Sequence, residues 1–173
     1  AVTAWSPFTP PDPDPSSLPV ACLEYTFRNT SDAPLAATFS FHGANFLVQE
    51  PGRQIIAGAA PGRHGVSRCD GGFTLWEDGG DADPARTCAF RVVATGGPVA
   101  VAPHWFRGGW YDAQTVVWRN ARTAEPIDRP DVADAGPPSP GGSLYVPLDL
   151  APGEERTVRL LMSWFTPWSD LRY

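Results

Sequence analysis

Apolar residues recur at every second position in five stretches of this chain. That period admits little besides strands with one buried face. Leu35, Ala37, Phe39 and Phe41 share one face, and Thr38, Ser40 and His42 share the other. Ala21, Leu23, Tyr25 and Phe27 alternate with Cys22, Glu24, Thr26 and Arg28. Cys88-Phe90-Val92, Leu144-Val146-Leu148 and Val158-Leu160-Met162-Trp164 follow the same rule. Weaker strand signals lie at Thr3–Phe8, Phe46–Gln49, Phe73–Trp76 and Val99–Ala102. Turn chemistry separates the runs: Asn29–Pro34, Asp78-Gly79-Gly80-Asp81, Gly96-Gly97-Pro98 and Ala151-Pro152-Gly153-Glu154. No helical crossovers intervene, so the strands are expected to pair antiparallel. The expected fold is all-β, an antiparallel β-sandwich forming a single domain over residues 1–173. Asp112–Ala121 is the exception, reading as one short helix capped by Asp112. Residues 122–142 carry five prolines and read as a long surface loop. Pro10–Ser17 reads as a stiff, extended connection.

Composition enters where it limits function. With 17 Gly and 20 Pro the chain approaches low-complexity disorder, but 7 Trp, 9 Phe and 4 Tyr supply enough apolar surface to order it. The formal charge is −6, and all 13 basic residues are arginine. That balance argues against nucleic-acid partners, which need a basic field. No apolar run is long enough to span a membrane. The first residues form neither a basic nor an apolar leader, and no initiator Met precedes them, which suggests a processed chain or an excised fragment. Cys22, Cys69 and Cys88 match no zinc spacing and read as small buried hydrophobes, with a Cys69–Cys88 bridge open as an alternative.

The motifs of common chemistries are missing. There is no Gly-x-Ser-x-Gly elbow, His-Glu-x-x-His pair, Walker loop or Gly-x-Gly-x-x-Gly. No cofactor or metal is expected. His42, His64 and His104 sit in no nucleophile signature and read as solvated or capped. Asp78, Asp81 and Asp83 cluster without EF-hand spacing and read as a solvated turn, as do Asp12 and Asp14. Glu24, Glu154 and Glu155 carry no mark of a desolvated catalytic acid.

The most unusual stretch is His104-Trp105-Phe106-Arg107-Gly108-Gly109-Trp110-Tyr111-Asp112, with Trp118 close behind. Rings mixed with hydrogen-bonding groups suit a sugar-facing surface, an interdomain contact, or simple capping of the core. Core and interdomain packing rank above direct ligand contact.

Trp105–Asp112 with Trp118 resembles the N-terminal domain of glycoside hydrolase family 116, which includes bile-acid (non-lysosomal) glucosylceramidases and bacterial β-glucosidases. Ser6–Pro10 with Ser16–Val20, Glu24–Ser31, Ser143–Pro147, Ala151–Glu155 and Ser163–Phe165 resemble further family segments in family order. Residues 122–142 carry no family motif. The resemblance implies a sandwich packed against an (α/α)6 barrel that holds both catalytic carboxylates of a retaining β-glycosidase. It also implies that the chain starts after the family's first strands, so the sandwich need not be complete. No catalytic residue carries over to this chain. The expected role is a non-catalytic support for the catalytic (α/α)6 domain of the same parent, bordering the sugar cleft of a β-glycoside substrate. Trp105, Phe106, Arg107, Trp110, Tyr111, Asp112 and Trp118 are the expected interdomain or sugar-facing residues. The rival readings are a stand-alone carbohydrate-binding module and a self-sufficient glycosidase using Asp112 or Glu24.

Overall fold

The computed structural model describes residues 1–48, 63–107, 113–131 and 136–168. In chain order its strands are β1 (Val2–Trp5), β2 (Val20–Arg28), β3 (Leu35–Ala44), β4 (Arg63–Cys69), β5 (Gly72–Asp78), β6 (Cys88–Thr95), β7 (Ala100–Ala102), β8 (Gly141–Leu150) and β9 (Glu155–Phe165). Two short helices, α1 (Pro13–Ser16) and α2 (Ala113–Thr123), and one 3-10 turn complete the described elements. The strands make a six-stranded sheet, ordered β1-β2-β9-β6-β5-β4, and a three-stranded sheet, ordered β3-β8-β7. Every strand pair is antiparallel. The expected all-β, sandwich-like class is what the chain adopts.

The alternation read from sequence decides which side chains meet. Leu23, Tyr25 and Phe27 of β2 pack inward with Val92 and Ala94 of β6 and Val158 and Leu160 of β9. Ala37, Phe39 and Phe41 of β3 meet them with Leu144, Val146 and Leu148 of β8. Phe73 and Leu75 of β5 are fully buried between the sheets. Gly43 and Gly142 are directly paired in the small sheet, and the Phe73 ring lies over them. A Cβ at Gly142 would come within 3.0 Å of that ring, so the position has no room for a side chain.

Two polar groups close the ends of the sandwich. Asn29 is only 1% exposed and ties two turns together. Its Nδ2 donates to Ala33 O (2.8 Å) and Leu150 O (3.0 Å), and its Oδ1 accepts from Ser31 N (3.0 Å) and Ser31 Oγ (2.7 Å). Its backbone bonds the 151–154 turn through Glu154 O and Gly153 N. At the other side, Arg68 Nη1 donates to Val101 O (2.9 Å), Arg129 O (2.9 Å) and Asp128 Oδ1 (2.6 Å). Asp128 also accepts from Val101 N, and Asp131 accepts from Arg68 N. Arg68 thus clamps the segment after α2 onto β7. Its guanidinium holds the Asp128 carboxyl below the usual carboxylate range.

Several expectations are corrected. Phe46 and Leu47 lie in a turn, because β3 ends at Ala44, and no strand starts there among the described residues. Pro10–Ser17 is not extended throughout: Pro13–Ser16 forms one helical turn. Pro suits its first position, and Asp12 caps it by accepting from Asp14 N. The strand at Thr3–Phe8 is shorter, Val2–Trp5. The second helix runs Ala113–Thr123, two residues beyond its expected end, and β8 already starts at Gly141. All three cysteines are free. Cys69 pairs across from Gly72 and Cys88 from Glu77, near opposite ends of β5, so they do not meet. Cys22 is buried, whereas Cys69 and Cys88 are only partly so.

Candidate functional site

The outward positions of β8 build the centre of the site. Ser143 and Tyr145 point away from the core, beside Ser40 and His42 of β3 and Ala100 and Ala102 of β7. Both are nonetheless buried, because the segment His104–Arg107 folds back over this face. Trp105 is the anchor. It is 9% exposed, its backbone N donates to Ser139 Oγ (2.9 Å), and its indole Nε1 donates to Ser143 Oγ (2.8 Å). The ring needs glycine beneath it, since a Cβ at Gly141 would stand 2.7 Å from the indole and 2.5 Å from Gly43 O. Gly141 and Gly142 therefore bed two rings on opposite faces of one strand, Trp105 outside and Phe73 inside.

His42 joins the same network. Its Nδ1 lies 2.8 Å from Ser143 Oγ and its Nε2 lies 3.0 Å from Ser40 Oγ, with Tyr145 edge-on at a centroid distance of 5.6 Å. Of the two expected states, solvated or capped, His42 takes the second: it is half-buried, with both ring nitrogens beside serine hydroxyls. Ser143 is buried and its hydroxyl is held by Trp105, so the Ser–His pair is not an accessible nucleophile. Burial pushes the His42 pKa below the ordinary imidazole value and the Tyr145 pKa above the ordinary phenol value. A histidine kept neutral by folding binds its proton more readily when unfolded. Stability is therefore full above about pH 6.5 and falls as pH drops from there toward the lowered folded-state pKa. Urea midpoints taken at pH 7.5 and 5 should fall further for the natural chain than for His42→Asn. Equal falls would remove His42 as the source.

A cavity of about 230 Å³ lies beside this network. Trp105 and Phe106 form one wall, Val116, Val117 and Asn120 of α2 another, and Ala102, Ser143 and Tyr145 the floor. Ile127 and Arg129 close its rim. Among the expected site residues, Trp105 and Phe106 meet here. Arg107 belongs to a different cleft of about 350 Å³, with Arg63, His64, Trp76 and Pro137, and its Nη1 donates to Pro137 O (3.1 Å). Trp118 projects from α2 and is 69% exposed. Trp110, Tyr111 and Asp112 lie outside the described residues. Ser143 and Tyr145 stand out in the sequence only as part of the family-like segment Ser143–Pro147, and Asn120 and Arg129 not at all as site residues. One signal was present, an aromatic ring at Tyr145 on the nominally polar face of β8.

Several carboxylates are paired with arginines elsewhere. Glu24 accepts from Arg159 Nε (2.5 Å), Glu154 pairs with Arg156 (3.0 Å) and Asp78 with Arg63 (3.0 Å). Buried Glu77 accepts from Arg86 through both Nε and Nη2. Among the described residues no three His, Cys, Asp or Glu side chains converge as metal ligands would. No described helix is long and apolar enough to cross a membrane.

The described residues thus form a two-sheet β-domain in which several carboxylates pair with arginines and the Trp105–Phe106 segment lies outside the small sheet. The family described as beta-glucosidase 2, glycosyl-hydrolase family 116 N-term matches residues 1–172, essentially the entire chain. The chain belongs to that family: it is the N-terminal domain of a family 116 glycosyl hydrolase. Such a domain implies a catalytic domain in the parent protein. No curated protein matches the chain.

Proposed function

We propose that this chain is the non-catalytic sandwich of a retaining β-glycosidase, β-glucosidase- or glucosylceramidase-like. It supports the catalytic (α/α)6 barrel of the same parent and borders its sugar cleft. The family match across residues 1–172 carries this reading. The arginine pairing of Glu24, Glu77, Asp78 and Glu154 supports it, because a carboxylate locked to a guanidinium is a poor proton donor or nucleophile. Support of this kind matters because catalytic groups must be held to fractions of an ångström. Phe106 and Trp118 are the rings offered outward to the barrel. Trp105 anchors the Phe106 segment from within, and we assign Arg107, and Trp110, Tyr111 and Asp112 outside the described residues, to the same interdomain or sugar-facing role.

The purified chain should leave a chromogenic β-glucoside intact. Turnover abolished by a single Asp or Glu replacement would overturn the proposal. In the complete parent, Trp118→Ala should lower thermal stability and activity together, and an unchanged enzyme would remove Trp118 from the contact. The exposed Trp118 ring also favours a second reading, a carbohydrate-binding module. Saturable binding of cellobiose by the isolated chain, lost in Trp118→Ala, would decide for it.

A further inference from the structure

The cavity beneath α2 combines features that no part of the supporting role requires. Its interior is lined by the apolar side chains of Val116, Val117 and Ile127 and by the buried Trp105 ring. Its lining also draws polar residues from three separate elements: Asn120 of α2, Tyr145 of β8 and Arg129 of the segment after α2. Arg129 is bound to the fold through its backbone, by its N–H to Val101 O and its carbonyl from Arg68. Among the described residues no carboxylate pairs with its side chain. Its charge nevertheless reaches Tyr145, where it opposes the effect of burial. A small concave site with apolar walls and a few convergent polar groups is the usual form of a ligand pocket. A guanidinium at the rim selects for an anion, and its planar fork matches a carboxylate.

We propose that this cavity binds a small organic carboxylate. The apolar body sits between Val117, Ile127 and Trp105, and the carboxylate lies at the rim on Arg129 with Asn120 as second donor. The proposal rests on the cavity's own lining and not on the supporting role. Its size limits the ligand to about that of one aromatic ring carrying one acid group.

The test is a titration of the ¹⁵N-labelled chain with sodium benzoate at constant ionic strength, with benzamide and D-glucose as parallel probes. Benzoate should produce saturable shifts at the Trp105 indole N–H and the Asn120 side-chain amide. Benzamide, equal in shape but uncharged, should bind at least tenfold more weakly. Arg129→Gln, a substitution at the exposed rim, should weaken benzoate at least tenfold and leave benzamide unchanged. Val117→Phe should fill the cavity and abolish both. If that variant does not fold, Arg129→Gln alone decides. Absence of saturable benzoate shifts, equal affinity for benzamide, or indifference to Arg129→Gln would each overturn the proposal. Stronger saturation by glucose would overturn it too, making the cavity a polyol site.

Discussion

Replacing Phe73 with alanine should lower the unfolding free energy by about 4 kcal/mol, the middle of the range for deleting a fully buried ring. The ring is completely enclosed, stacks near Phe41 at a centroid distance of 6.4 Å, and fills the space left by the Gly43–Gly142 pair. Two adjacent glycines on the facing strands have no side chains to collapse into the void, so relaxation is limited. Phe73→Leu, which keeps most of the volume, should cost about 1–2 kcal/mol. Urea unfolding followed by tryptophan fluorescence gives both numbers. A loss under about 1 kcal/mol for Phe73→Ala would show that the two sheets close over the gap.

Asn29→Ala should cost about 3 kcal/mol although it removes a polar side chain. The amide is buried, and its loss takes a donor from Leu150 O at the end of β8 and from Ala33 O in the 29–34 turn, and an acceptor from Ser31. Asn29→Asp separates this account from one based on size. The carboxylate still accepts from Ser31 but turns an oxygen toward Ala33 O and Leu150 O, where donors are needed. The aspartate variant should therefore be no more stable than the alanine one. Recovery to the stability of the natural chain would refute the hydrogen-bond account.

What the sequence discloses here is whatever depends on neighbours along the chain. Leu144-Val146-Leu148 and Val158-Leu160-Met162 announce their buried face because alternation is local, and the structure places all six toward the core. Strand β4 was silent because Arg63–Cys69 contains a single large aliphatic residue, Val66. Gly65 there makes room for the Trp76 ring, 3.0 Å from where a Cβ would be, and nothing adjacent to it in sequence says so. His42 reads only as solvated or capped because its partner Ser143 is 101 residues away. Asn29 looked like an ordinary turn residue because Leu150 is 121 residues away. The aromatic segment drew notice by composition, yet composition could not say that Trp105 turns inward while Phe106 stays at the surface. Nor could it show that Arg129, drawn from a proline-rich loop, would come to the rim of the same cavity.

The Arg68 clamp also governs how the molecule meets others of its kind. β7 is a three-residue outer strand of the small sheet, and its free side would present unpaired amide and carbonyl groups to any passing extended peptide. Asp128 takes the Val101 N–H, and Arg68 with the Arg129 N–H takes the Val101 carbonyl, so that margin is already occupied from within. One salt-bridged arginine thereby protects this side of the domain from strand-by-strand growth into aggregates.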